Sequence, residues 1–131
     1  MAIEYGYEGL RTAGTFKLDS TTKGAISSDP KQIIGKVVTI VEHYQVGYGA
    51  DGDEPLGVVT QIEKESTNSA DFCVSVAWGQ TFEGIKCAGS ESAGDFLACN
   101  GSGGLKQSVD HTCCKALGVD SSSTTCTIKI N

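Results

Sequence analysis

The sequence predicts a mainly β fold, a compact sandwich or barrel-like domain with an extended N-terminal arm. The 131 residues include 17 glycines but only two prolines, and β-branched and aromatic residues alternate with polar ones in several short runs. Turn signals separate these runs at intervals of about 8–15 residues, which is typical of sandwiches and barrels. A chain of this length can bury a core as one domain without a metal or haem.

Residues 1–32 show no sustained hydrophobic period, so we predict an extended arm there, with one short strand at residues 15–18. The arm would end at Asp29-Pro30, since this dipeptide favours a turn. A single β domain would follow over residues 33–131.

The density of β-branched residues rises at residue 33, and the pattern predicts strands at residues 36–41, 56–63 and 72–78. A weaker strand is expected at residues 81–87, where Gly84 interrupts the alternation. In the third strand, one face carries Phe72, Val74, Val76 and Trp78. This face is too apolar for solvent, so we expect these four side chains to fill the core or a contact between subunits.

The domain shows signs of two related β units, residues 34–78 and 93–130. Each begins with a strand-like run, continues through a glycine-rich loop and ends in an alternating strand. The offset of about 60 residues is too long for a solenoid repeat. The only helical pattern is a short one at residues 109–116.

Six cysteines allow 15 disulfide pairings, and the sequence selects none of them. They are Cys73, Cys87, Cys99, Cys113, Cys114 and Cys126. Cys73 and Cys126 occupy equivalent places in the two units, so we expect them on neighbouring strands. A zinc site of His111, Cys113 and Cys114 with Cys99 is disfavoured, because the sequence has no Cys-x-x-Cys pair. Buried thiols or disulfides that form late are the favoured alternatives.

Charge and hydropathy exclude several classes of partner. The net charge of −6 opposes binding to DNA or RNA, because it repels phosphate. No apolar run approaches the 18 residues of a membrane span, and residues 1–5 lack the basic start of a signal peptide. We therefore expect a protein made in the cytoplasm, with neither a nucleic-acid nor a membrane partner.

Catalytic and cofactor motifs are weak. Residues 47–52 match G-x-G-x-x-G, but Asp53, Glu54 and Pro55 follow where a dinucleotide motif would open a helix, so a simple loop is expected. Neither His43 nor His111 lies in a catalytic spacing. The sequence thus predicts no enzyme, cofactor or metal, although a small hydrolase that uses loop carboxylates stays a rival hypothesis.

Four short motifs carry a family resemblance. They are Gly-Lys-Val-Val at residues 35–38, Pro-Leu-Gly-Val-Val at 55–59, Ala-Gly-Asp-Phe-Leu-Ala at 93–98 and Ala-Leu-Gly-Val at 116–119. Their order, with the glycine-rich loops between them, resembles the small capsid decoration, or cement, proteins of tailed bacteriophages. The resemblance covers residues 33–131. The six cysteines depart from the low cysteine content usual in such families.

The resemblance implies a homotrimer on the outer surface of the virion. It would bind the major capsid protein at three-fold or local three-fold positions and stabilise the head against internal pressure. We expect the arm to dock on the capsid, because residues 1–36 hold five basic and four acidic residues whereas residues 37–131 hold five and twelve. Its expected anchors are Tyr5, Tyr7, Leu10, Arg11 and Phe16. The alternative is a disulfide-stabilised extracellular binding module, such as a phage tail or receptor-binding component.

Overall fold

The computed structural model describes residues 12–65 and 68–131 and, within them, all side chains except those of residues 64, 65 and 68–72. The described chain is mainly β, which confirms the predicted fold class. Its helices are α1 (Ser20–Ala25) and a 3₁₀ helix (Pro30–Ile33). Its strands are β1 (Ala13–Leu18), β2 (Val37–Glu42), β3 (Gln45–Gly47), β4 (Gly57–Glu65), β5 (Asn68–Ala77), β6 (Thr81–Lys86), β7 (Leu97–Cys99), β8 (Leu105–Gln107), β9 (Cys114–Asp120) and β10 (Thr125–Ile130).

The first five strands close into a barrel in the order β1-β3-β2-β4-β5. β1 is parallel to β3, and the other neighbouring pairs are antiparallel. Aliphatic side chains fill the interior, and most of them are β-branched, which suits a pleated surface. The buried members are Leu18, Ile26, Ile33, Val38, Val46, Val59, Val74 and Val76.

The remaining strands form a second region, residues 81–130. β6, β10 and β9 make a three-stranded antiparallel sheet, and β7 and β8 make a two-stranded one. The second core also recruits Val37 and Val58 from the barrel strands, and Trp78 packs against both cores. The two regions therefore share side chains at their junction.

Helix α1 joins the barrel through a side-chain cap. Asp19 Oδ1 accepts a hydrogen bond from the Thr22 amide (3.0 Å), which satisfies a donor of the first helical turn. The Thr22 hydroxyl in turn accepts one from the Tyr48 amide (3.0 Å). A Cβ at Gly47 would overlap the Asp19 carboxylate, so glycine is needed at this close approach.

The arm boundary predicted at residue 32 is wrong for the described part of the arm. β1 pairs with β5 from Ala13↔Ala77 to Lys17↔Cys73, and Ile26 and Ile33 lie in the barrel core. Long-range pairing brings these residues into the domain although their local sequence has little periodicity. Residues 1–11 lie outside the described residues.

Two further expectations are wrong. Residues 109–116 form no helix: after a bend and a short irregular stretch, β9 begins at Cys114. Cys73 and Cys126 are not on neighbouring strands either, since β5 pairs with β1 and β4 whereas β10 pairs with β6 and β9. Both errors come from local sequence patterns, which do not specify which strands become neighbours.

Candidate interaction surface

Residues 48–52 of the glycine-rich motif lie in the connection between β3 and β4, and Gly47 is the last residue of β3. Gly49 has φ +66°, a left-handed conformation that favours glycine, and Asp53 Oδ2 accepts a hydrogen bond from the Ala50 amide (2.8 Å). His111 Nε2 lies 3.0 Å from the Gly52 carbonyl oxygen, which ties the same loop to the second region. The glycines and carboxylates therefore shape a turn, as expected for a simple loop.

The four side chains predicted for a core or subunit contact have different positions. Val74 and Val76 are fully buried in the barrel, so neither is available to another subunit. Trp78 is half-buried at the junction of the two cores, with its ring centroid 6.3 Å from that of Phe16. The backbone of Phe72 lies in β5, but its side chain is outside the description.

Of the predicted arm anchors, only Phe16 is described. It lies in β1 and packs against the barrel core, so it belongs to the domain and not to a separate arm. Tyr5, Tyr7, Leu10 and Arg11 lie outside the described residues.

All six cysteines are free thiols. Cys87, Cys99, Cys114 and Cys126 are buried in the second core, and Cys113 is half-buried against it. Burial raises the pKa of Cys99 and of Cys126 to about 12, and that of Cys113 to about 11. At neutral pH these thiols are protonated, and a protonated thiol is a poor nucleophile and metal ligand.

One buried carboxylate accompanies the thiols. Glu91 accepts hydrogen bonds from the amides of Ala88 (3.2 Å) and Gly89 (2.8 Å) and from the Cys87 thiol. Burial opposes ionisation of Glu91, but these hydrogen bonds together outweigh it and lower its pKa. Glu91 thus stays charged while it holds the turn after β6.

The described residues gather no cluster of three or more His, Cys, Asp or Glu side chains able to hold a metal ion. The disfavoured zinc set, His111, Cys113 and Cys114 with Cys99, forms no such group: His111 contacts Gly52, and the Cys113 thiol donates to the Pro55 carbonyl (3.4 Å). Within the same part of the chain, no helix has the length and apolar character needed to cross a bilayer.

The outer half of the β2–β3 hairpin is an exposed apolar surface. Its members are Ile40 (51 % exposed), Val41 (40 %), Tyr44 (68 %) and His43, and together we call them the hairpin surface. The rings of His43 and Tyr44 meet edge to face, with centroids 4.6 Å apart. Exposed aromatic and aliphatic groups at one place are typical of a protein-binding site.

Tyr44 is held in an unusual backbone conformation. Its φ of +55° is left-handed, which costs a non-glycine residue about 1–2 kcal/mol. The Tyr44 carbonyl accepts a hydrogen bond from the Lys17 amide (3.1 Å), so β1 secures the turn. Tyr44 lies in the two-residue turn between β2 and β3, and a positive φ there closes the hairpin.

Three shallow clefts surround the hairpin surface. The first, about 400 Å³, lies beside Ile40, Val41 and Tyr48. The second, about 500 Å³, lies between Ile40 and Trp78, and the third, about 440 Å³, borders His43, Tyr44 and Phe16. The hairpin therefore stands between recesses that an irregular protein surface could enter.

Sequence reasoning did not find this surface. Alternation in residues 36–41 predicts one buried and one exposed face, yet Ile40 and Val41, which are adjacent, are both exposed. The cause is a register irregularity between Ile40 and Glu42 in the pairing with β3, together with the end of the pairing with β4 at Val38. The sequence feature that indicates this surface is the density of apolar and aromatic residues near the turn between β2 and β3.

A scan against protein-family models gives no match for this chain, and a search of curated proteins gives none either.

Proposed function

We propose that this protein is a non-enzymatic structural protein of a tailed-phage virion that decorates the outer face of the head. The observation that carries the proposal is the hairpin surface, an exposed apolar patch on the closed barrel. Among the described residues, the exposed apolar side chains of the hairpin surface stand out. The same residues contain no group of three or more His, Cys, Asp or Glu side chains able to hold a metal ion. The order of motifs over residues 33–131 supplies the resemblance to decoration proteins.

Charge supports the outer face over the interior. The chain carries 16 acidic and 10 basic side chains. A net negative protein inside the head would be repelled by packaged DNA, whereas outside it is not.

The proposed partner is the major capsid protein, contacted at three-fold or local three-fold positions by a homotrimer. The hairpin surface would supply an apolar centre, and Glu42, Lys17 and Glu54, which lie near it in the chain or line its clefts, would supply a polar rim. Three linked copies would make each later contact intramolecular, so modest affinity per subunit is enough.

The rival proposal, an extracellular module stabilised by disulfides, has less support. Its stability would depend on cysteine pairs, and all six cysteines are free thiols. Four of them are buried in the second core among aliphatic side chains.

The test combines mass measurement with binding to heads. The purified protein is sized by sedimentation and then mixed with expanded, undecorated heads of a tailed phage. We expect a trimer that binds at saturating, symmetric stoichiometry. A monomer without affinity for heads would rule the proposal out.

Matched variants connect binding to the hairpin surface. Tyr44→Gly removes the exposed ring and suits the left-handed backbone, so it should weaken head binding without harming the fold. Val109→Ser is the control, since Val109 is 95 % exposed but is not part of the hairpin surface. Equal binding by both variants would show that the hairpin surface is not the contact.

A further inference from the structure

Two buried thiols of the second core, those of Cys87 and Cys126, are neighbours on one face of the β6-β10-β9 sheet. Cys87 directly follows β6, and its amide donates a hydrogen bond to the Thr124 carbonyl (2.9 Å). In the same ladder, Cys126 of β10 is the partner of Ile85 of β6. Ile85 and Cys87 are buried and Lys86 between them is exposed, so Ile85 and Cys87 face the same side. Cys126 is therefore the diagonal neighbour of Cys87 on the buried face.

The thiol pair also contacts the buried carboxylate of Glu91. The Cys87 thiol donates a hydrogen bond to Glu91, and the Cys87 and Cys126 thiols are hydrogen-bonded to each other. A thiol has one proton, so the Cys87 sulfur accepts the proton of Cys126. The three groups thus form a hydrogen-bonded chain from Cys126 through Cys87 to Glu91. The carboxylate at its end is a ready acceptor for a proton that leaves Cys87.

Cys87 is the member of the pair that local opening exposes first. It lies outside the strands, at the start of the turn that Glu91 holds through the amides of Ala88 and Gly89. Cys126 belongs to β10, the middle strand of its sheet. Opening this turn breaks few backbone hydrogen bonds, whereas exposing β10 requires the unpairing of a strand. A small oxidant therefore reaches the Cys87 sulfur before the Cys126 sulfur.

We propose that Cys87 and Cys126 form a reversible intrachain disulfide by exchange with a small-molecule disulfide such as oxidised glutathione. The Cys87 thiol gives its proton to Glu91, and the Cys87 sulfur attacks the small disulfide, which breaks its S–S bond and releases one small thiolate. The Cys126 sulfur then attacks the Cys87 sulfur of this mixed disulfide and releases the second small thiolate. The two protons that the protein loses end on the two small thiols. The cysteine pair is oxidised by two electrons, and the small disulfide is reduced by two.

The bond would act on the second region alone. It would join the turn after β6 to β10 and enclose residues 87–126, which include β7, β8 and β9. A cross-link that closes a long loop restricts the unfolded chain and so stabilises the folded one. The oxidised second region should therefore resist unfolding more than the reduced one, while the barrel keeps its stability.

Peptide mapping of the full-length protein tests the pairing without using heads, so its result is independent of the proposed function. The protein is incubated with oxidised glutathione at mildly alkaline pH, the remaining thiols are alkylated, and the protein is digested without reduction. We expect two peptides joined through Cys87 and Cys126, lighter by two hydrogen atoms than the separate peptides together. Dithiothreitol should separate them. The urea midpoint of the second region, followed by hydrogen exchange in β10, should be higher in the oxidised protein.

Matched cysteine variants identify the pair. Cys87→Ala and Cys126→Ala should each lose the joined peptides and the rise in the urea midpoint. Cys99→Ala removes another buried thiol of the same core and should keep both. A bridge between any other two cysteines, mixed disulfides with glutathione alone, or six thiols left free after oxidation would overturn the proposal. The peptide map of the native protein decides the pairing even where a variant fails to fold.

Discussion

The barrel and the second region are both built from short strands, but their cores differ in chemistry. The buried side chains of the barrel are aliphatic, with Val38, Val59 and Val76 among them. The second core mixes Leu97, Ile128 and other aliphatic residues with four buried thiols. A protonated cysteine behaves as a small hydrophobic residue. The stability of the second core therefore depends on its thiols staying protonated, whereas the stability of the aliphatic barrel core does not.

The closed barrel satisfies most strand edges within itself, whereas the second region consists of two small sheets. The second region therefore relies on shared packing with the barrel through Val37, Val58 and Trp78. Substitutions at the junction side chains and at the buried thiols can therefore separate the two regions experimentally.

The largest effect is expected from Trp78→Ala. Truncating a large aromatic side chain at the junction should lower the free energy of unfolding by about 3 kcal/mol, because it opens a cavity beside both cores. In denaturation followed by circular dichroism, the native protein should unfold in one transition. Trp78→Ala should unfold in two, because the two regions are no longer coupled through the Trp78 side chain. Trp78→Phe is the control and should keep a single transition, and a single transition in both variants would show that Trp78 does not couple the regions.

Matched leucine truncations compare the cores directly. Leu18→Ala in the barrel and Leu97→Ala in the second region each remove a buried side chain, and each should cost about 3 kcal/mol in urea denaturation. Hydrogen exchange should accelerate first in β5 for Leu18→Ala and first in β10 for Leu97→Ala. The control Leu117→Ala, at an exposed position, should change stability by less than about 0.5 kcal/mol. Identical exchange patterns for both core variants would mean that the regions unfold as one unit.

The third prediction concerns pH and is specific to the second core. The ordinary thiol pKa is 9.0, and burial raises the pKa of Cys99 and Cys126 to about 12. Above pH 9 the unfolded chain loses these protons while the folded chain retains them, so stability is complete below pH 9 and falls as the pH rises towards 12. Urea midpoints between pH 8 and 11 should show this fall, and the decline should be shallower in Cys99→Ala. An equal decline in that variant would contradict a role for the Cys99 thiol.

The smallest effect belongs to the helix cap of the barrel. Asp19→Ala removes the acceptor for the Thr22 amide and should cost about 1 kcal/mol in thermal unfolding. Asp29 begins the 3₁₀ helix without a side-chain cap bond, so Asp29→Ala is a control that should cost less. If Asp29→Ala were the more damaging change, the cap would not explain the position of α1.

The fold class and several strands can be predicted from local sequence patterns. Residues 36–41, 56–63 and 72–78 were predicted as strands, and β2, β4 and β5 overlap them, because an alternating or β-branched run has a strong local preference. The side-chain period of two also placed Val74 and Val76 on one face, and both are buried. Glycine at positions 49 and 52 likewise marks a loop, whereas Gly47 is the last residue of β3.

Tertiary contacts, in contrast, determine which strands are neighbours and which apolar residues stay exposed. β1 joins the barrel by pairing with β5, about 60 residues away in the chain, and residues 109–116 lose their helical pattern to β9, which pairs with β10. Ile40 and Val41 lie beyond the pairing with β4, because β4 begins only at Gly57, the partner of Val38. Pairing is a property of two segments at once, and its free energy depends on long-range contacts that no single stretch of sequence contains.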